Sequence, residues 1–193
     1  MKSLCVYCGS SSGSAPAYAA AARELGQLLA AQQIELIYGG GRVGLMGALA
    51  DAVLDAGGRV QGVIPQSLAD REVAHHGLTQ LHVVETMHQR KALMAELSDG
   101  FLALPGGLGT FEELFEIWTW AQLGMHAKPI GLLNVAGYFD LLLQFLDHAV
   151  GQQLLKPVHR EALCVSTDPA EMLRMLGQKL PVSEPKWIDA SQR

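Results

Sequence analysis

Positive charge is in short supply: 14 Lys and Arg stand against 19 Asp and Glu, for a formal net charge of −5. That balance excludes the basic surface that nucleic acid or an anionic membrane selects. Long apolar runs are also missing. Hydrophobic residues make up 49% of the 193, but Ala, Gly, Arg and Glu interrupt every apolar segment short of the roughly 20 residues a membrane span needs. The start, Met1-Lys2-Ser3-Leu4, runs straight into a strand pattern with no signal-peptide core, so a soluble cytoplasmic protein is expected. Three cysteines, an odd number, make no disulfide framework in a chain this size. Cys5 and Cys8 form a CxxC, but on a strand residues three apart point to opposite faces, and a redox pair needs a helix N-terminus to lower its thiol pKa. Buried structural thiols are expected. The seven histidines show no HExxH or other ligand spacing, so no metal site is read. The lack of a GxxxxGK[ST] removes a Walker-type ATPase.

What is present is a regular alternation. Short apolar runs predict strands at Leu4–Cys8, Glu35–Tyr38, Arg59–Ile64, Leu81–Val84, Gly100–Leu104 and Ile130–Leu133. Helical periodicity occupies Pro16–Gln32, Gly44–Ala56, His88–Leu97, Thr110–Leu123 and Tyr138–Val150, and Asp168-Pro169 reads as the N-cap and first position of a last helix. The alternation predicts an α/β fold, a Rossmann-like doubly wound parallel sheet with helices on both faces. Residues 1–193 read as a single domain with no internal linker, Gln66–Leu78 as an irregular loop, and 181–193 as a polar tail.

Ligands in such sheets bind beyond the carboxyl ends of the strands, and three glycine-rich segments fall there. Leu104-Pro105-Gly106-Gly107-Leu108-Gly109-Thr110 breaks a buried strand and opens an amphipathic helix. Its free N–H groups and helix dipole suit a phosphate. Glu113 beside that cradle has two readings. Thr110-x-x-Glu113 is a capping box, in which the glutamate ties back to the Thr110 amide, and locally this is slightly the better one. Otherwise the carboxylate does chemistry on a phosphorylated substrate. In Cys8-Gly9-Ser10-Ser11-Ser12-Gly13, the Ser10 hydroxyl and its neighbours hold phosphate or ribose oxygens, or merely form a turn. Gly39-Gly40-Gly41-Arg42-Val43-Gly44 satisfies GxGxxG formally, but the next strand ends Gly62-Val63-Ile64-Pro65 with no acid for a ribose. Its glycines, Gly40 and Gly41 among them, indicate either a ligand approaching the backbone, the favoured reading, or an unusually tight turn. Arg90 and Lys91 near a helix N-terminus oppose the dipole, which favours an anion beside Arg90; Lys91 also reads as simply solvated.

Taken together, Met87-His88-Gln89-Arg90-Lys91 and Pro105-Gly106-Gly107-Leu108-Gly109-Thr110-x-x-Glu113 resemble the LONELY GUY (LOG) family. The resemblance extends through Val6-Tyr7-Cys8-Gly9-Ser10-Ser11, Gly44-Leu45-Met46-Gly47, Thr119–Gly124 and Lys128–Asn134. It implies cytokinin riboside 5′-monophosphate phosphoribohydrolase activity: hydrolysis of the N-glycosidic bond of an N6-modified adenosine 5′-monophosphate to free base and ribose 5-phosphate. It also implies a homodimer with active sites near the interface. Arg90 and Glu113 take the catalytic positions, and substrate contacts fall on Lys91, Gly106, Gly107, Leu108, Gly109 and Thr110, with Glu85 and Met94. The chemistry fits these residue types. Breaking a ribosyl C–N bond passes through an oxocarbenium-like state that a carboxylate stabilises, and water must be positioned or deprotonated. A guanidinium does not deprotonate, so Arg90 acts by charge, on the phosphate or on the departing purine. No metal or organic cofactor is required. Two alternatives remain: a non-catalytic nucleotide carrier on the same fold, and a pyridoxal-phosphate decarboxylase, for which Lys91 is the only lysine near the motifs.

Overall fold

The computed structural model describes residues 1–70 and 73–178. β1 (Ser3–Tyr7) leads to α1 (Pro16–Ala31), β2 (Glu35–Tyr38) to α2 (Gly44–Asp55), and β3 (Val60–Pro65) to a single turn, α3 (Gln66–Ala69). β4 (Gln80–Val84) is followed by α4 (Met87–Glu96), β5 (Phe101–Ala103) by α5 (Leu108–Gln122), and β6 (Ile130–Leu133) by α6 (Asp140–Gly151) and α7 (Pro157–Ala162). β7 (Leu163–Ser166) and α8 (Pro169–Gln178) complete the described part. The strands form one sheet in the order β4-β3-β2-β1-β5-β6-β7, and every pairing is parallel.

A parallel strand covered on both faces needs apolar side chains at successive positions rather than at alternate ones, and all five residues of β1 are buried. Leu4 and Val6 join a cluster with Leu25 and Leu29 of α1, Leu49 and Val53 of α2, and Met172 and Leu176 of α8. Cys5 and Tyr7 enter the opposite cluster, with Met94 of α4 and Leu114, Ile117 and Trp118 of α5. Helices therefore cover both faces, the doubly wound arrangement that the alternation predicts. Cys8 joins the first cluster and Cys5 the second, so the CxxC is split across the sheet. Burial pushes the Cys5 thiol up to about 12 and raises Cys8 as well; both are inert structural thiols.

The structure adds elements that periodicity did not reveal. The expected loop at 66–78 opens with α3, and α7 and β7 follow α6. β7 pairs with β6, Ile130 opposite Leu163. Asp168 does cap α8, its Oδ1 accepting from the Glu171 amide at 2.7 Å. The tail expected at 181–193 lies outside the described residues. For function, the decisive point is that β1 pairs with β2 on one side and β5 on the other. The strand order reverses there, and the loops leaving β1, β2 and β5 open a crevice at their carboxyl ends.

Candidate functional site

Backbone hydrogen bonds join the three glycine loops. The Gly9 amide donates to the Pro105 carbonyl and the Leu45 amide to the Gly9 carbonyl, both at 3.0 Å. Gly44, at φ +61°, starts α2 against the backbone of Ser10 and Ser11, where any side chain would collide. A fourth segment covers the crevice: the Arg42 amide donates to Val73 at 2.9 Å and the His75 amide to Gly40 at 2.8 Å.

Helix α5 begins at Leu108, with Gly107 as its N-cap and no side-chain cap bond. The amides of its first turn therefore carry the dipole's positive end without a protein acceptor supplied by a cap. This start overturns the capping-box reading of Thr110 and Glu113. Thr110 is the third residue inside the helix, and Glu113 lies almost a turn further on, too deep to cap. A capping box exists instead at α4, where the Thr86 hydroxyl accepts from the Gln89 amide at 3.1 Å and the Gln89 side chain accepts from the Thr86 amide at 3.1 Å.

Glu113 instead faces Arg90. Glu113 Oε1 lies 3.2 Å from Arg90 Nη2, and the two side chains are 10% and 11% exposed. Arg90 Nε donates to the Val63 carbonyl of β3 at 3.1 Å, so the guanidinium is held from two directions. The approach of Arg90 explains Gly39: a Cβ there would overlap Nη2. Burial raises the Glu113 pKa, against the Arg90 charge, which lowers it. A buried carboxylate paired with a guanidinium and with a raised pKa in a crevice is suited to act as a base or to stabilise a cation.

The pair lies in the lining of a cavity of about 400 Å³. One wall is polar: Ser10, Gly107, Leu108, Gly109 and Thr110 bring the glycine loops and the α5 N-terminus. The other is apolar, built by Val43, Met46, Ile64, Leu68 and Val73. Among the described residues no three His, Cys, Asp or Glu side chains gather as a metal-ligand set. An anion cradle, a carboxylate–guanidinium pair and an apolar wall in one cavity suit a molecule with a phosphate, a polar reacting centre and a flat apolar end.

Sequence comparison places this cavity in a family. A profile described as "Possible lysine decarboxylase" matches residues 46–176. A cytokinin riboside 5′-monophosphate phosphoribohydrolase of Rhodococcoides fascians is 52% identical over 168 residues, covering 86% of this chain and 85% of that protein. The Arabidopsis thaliana protein of that name, LOG7, is 49% identical over 93% of this chain and 83% of its own length. The Oryza sativa protein LOGL9, a probable member, is 50% identical over 93% and 79%. The chain belongs to the LONELY GUY family. Solved structures agree on the fold alone. The molybdenum cofactor carrier protein of Chlamydomonas reinhardtii superposes with a TM-score of 0.69 at 20% identity, covering 91% of this chain and 96% of that one. The molybdenum cofactor binding protein of Rippkaea orientalis gives 0.69 at 22%, covering 92% and 96%.

The residues that the LONELY GUY resemblance singled out divide into two groups. Arg90, Glu113, Gly107, Leu108, Gly109 and Thr110 line the cavity, as do Ser10 and Gly41. The others lie outside that lining. Gly106 accepts from the Tyr138 hydroxyl and lines a neighbouring cavity of about 280 Å³. Gly40, at φ +74°, packs against Ile64 and Leu81. Met94 is fully buried in the core, and Glu85 is exposed before the Thr86 cap. Lys91 is neither solvated nor in the cavity; it pairs with Glu112 and Glu116 of α5. The apolar wall was missed altogether, because Val43, Met46, Ile64, Leu68 and Val73 carry no signal in sequence beyond standing near glycines or a strand end.

Proposed function

We propose that this chain hydrolyses the N-glycosidic bond of N6-modified adenosine 5′-monophosphates, with AMP as a further substrate, releasing free base and ribose 5-phosphate. The observation that carries the reading is the Arg90–Glu113 pair at 3.2 Å, buried beside an uncapped helix N-terminus in one cavity. The names of the close relatives support it. In this reading the 5′-phosphate takes the α5 amides of the Gly107–Thr110 segment and the Ser10 hydroxyl. Phosphate binding, remote from the broken bond, orients the sugar. Glu113 stabilises the cationic ribosyl carbon and positions or deprotonates the attacking water. Arg90 opposes the burial that disfavours the ionised form of Glu113 and places positive charge where the purine leaves. The base lies along the apolar wall. No step needs a metal or an organic cofactor. Lys91, engaged by two glutamates, has no nucleophilic role here, which removes the reason for a pyridoxal Schiff base.

The active form is a homodimer of single-domain chains in the cytoplasm, free of nucleic acid and membrane, with its active sites near the subunit interface. The net charge of −5 weighs against a nucleic-acid or anionic-membrane partner, and among the described residues no helix is long and apolar enough to cross a membrane. One chromatographic assay tests the activity, offering isopentenyladenosine monophosphate, AMP, the matching nucleosides and lysine in parallel. Base release from the monophosphates only is expected. Nucleotide binding without turnover would replace the hydrolase by a carrier, and consumption of lysine would restore the decarboxylase. Sedimentation of the same sample tests the dimer.

A further inference from the structure

Lys91 stands beside Arg90 on α4, and its surroundings are not those of a substrate contact. Its side chain is 9% exposed, and Nζ reaches both Glu112 Oε1 and Glu116 Oε2, the latter at 3.0 Å. A buried ammonium persists only when paired, and two carboxylates occupy this one on the side of α5 that faces α4. From this geometry we infer that Lys91 is a positioning residue, clamping Glu112 and Glu116 so that α5 presents Glu113 to Arg90. The inference rests on the proposed hydrolase only for the effect on turnover.

Helical geometry makes the clamp specific. Adjacent residues on a helix diverge by about 100°, so Arg90 and Lys91 cannot serve the same point. Arg90 turns to the cavity and Lys91 to the flank of α5. On α5, Glu112 and Glu116 share a face at i and i+4, and Glu113 is one step round. Two adjacent cations on α4 therefore meet two adjacent carboxylate positions on α5. Rolling α5 to break either Lys91 contact would also swing Glu113 away from Arg90.

The clamp is electrostatic as well. The groups acting on Glu113 are Arg90 and Lys91 from α4, Glu112 and Glu116 from its own helix, and Tyr7, Cys5 and Cys8 from the β1 side. The phenol and thiols are held above their ordinary values by burial and stay neutral. Glu112 and Glu116 disfavour the ionised form of Glu113, and Lys91 opposes them. Without Lys91 two uncompensated carboxylates flank the base, and its pKa must rise further.

The test compares wild type with Lys91→Met, Lys91→Arg and the triple variant K91M/E112Q/E116Q, reading kcat, KM and the pH–rate profile on AMP. Lys91→Met should lower kcat by about 10- to 100-fold, the scale of a misplaced reacting group, with KM within about twofold. The acid limb should move to higher pH. Lys91→Arg should retain activity, because a guanidinium can bridge the same two carboxylates. The triple variant should return the acid limb towards wild type, because the repulsion leaves together with the cation, while kcat stays low because the clamp on α5 is gone. A raised KM at unchanged kcat and acid limb, or a triple variant whose acid limb stays where Lys91→Met put it, overturns the clamp in favour of a substrate contact. Titration of the Glu113 side-chain carbon by NMR in the same four proteins needs no turnover. An upward shift in Lys91→Met that the triple variant reverses supports the clamp even if hydrolysis fails, and an unmoved titration overturns it.

Discussion

Replacing Glu113 by Gln separates chemistry from architecture more cleanly than any other change. Glu113 and Arg90 are 3.2 Å apart with side chains 10% and 11% exposed. Their direct attraction is about 5 kcal/mol at an effective dielectric near 20. Burial of the carboxylate opposes it and prevails, since the Glu113 pKa lies above its ordinary value. By linkage, the stability associated with this group is fully present below pH 4.5, where the carboxyl is neutral in both states, and is lost as pH rises through the folded-state value. Ionised Glu113 therefore weakens the fold at neutral pH. Glutamine mimics the neutral form and keeps an oxygen facing Arg90 Nη2, so the guanidinium is not orphaned. The expected change at pH 7 is a gain of zero to about 1 kcal/mol, or a thermal midpoint raised by up to roughly 4 °C, shrinking as pH falls towards 4.5. Turnover should meanwhile fall by about 10²- to 10³-fold, the scale of one preorganised electrostatic group, while AMP binds as well or better, a negative charge having left an anion site. Scanning fluorimetry across pH, calorimetric titration with AMP and chromatographic base release measure the three quantities. Turnover within about threefold of wild type would refute the catalytic role, and a midpoint lowered by more than about 5 °C would show that the pair is structural.

Arg90→Met strands the carboxylate and should cost about 3 kcal/mol at neutral pH. The loss should diminish as pH falls towards the ordinary carboxylate range, because Glu113, its pKa already raised and raised further without Arg90, takes up a proton before that range is reached, and urea titrations at pH 7 and pH 4 would show it. Gly39→Ala places a methyl on Arg90 Nη2, the far end of a flexible side chain. Its stability should stay within about 1 kcal/mol while kcat falls roughly 10²-fold from a displaced guanidinium; an active Gly39→Ala enzyme would contradict the role given to Arg90. A thiol reagent at pH 8 should leave Cys5 unmodified in the native protein and react with all three cysteines in denaturant. Cys8 borders the cavity but is buried with its thiol raised as well, so it should also stay unlabelled with or without AMP, and mass spectrometry of the labelled peptides reads each site.

Local sequence determined much of this protein. Apolar runs such as Leu4-Cys5-Val6-Tyr7 can be buried on both faces only in a covered parallel strand, and Asp168-Pro169 could only start a helix. The three glycine loops stand at strand ends, and Arg90 and Glu113 are legible from their motifs. Shorter or less regular signals were not legible. β7 follows α7 with no intervening residue, so no turn signal marks where the strand begins. Thr110-x-x-Glu113 satisfies the local pattern of a capping box, yet α5 starts at Leu108, because the chain already turns helical within the glycine loop. Only the tertiary structure decided the rest. The strand order put β1 between β2 and β5 and so brought the three loops together. The packing of α4 against α5 gave Arg90 a carboxylate in the cavity and gave Lys91 two outside it. The physical reason is one of range. Periodicity and capping report which face of an element is buried and where it begins, because those are set by neighbours within a turn or a pleat. Which partner lies against that face depends on contacts between distant segments, and no local pattern encodes them.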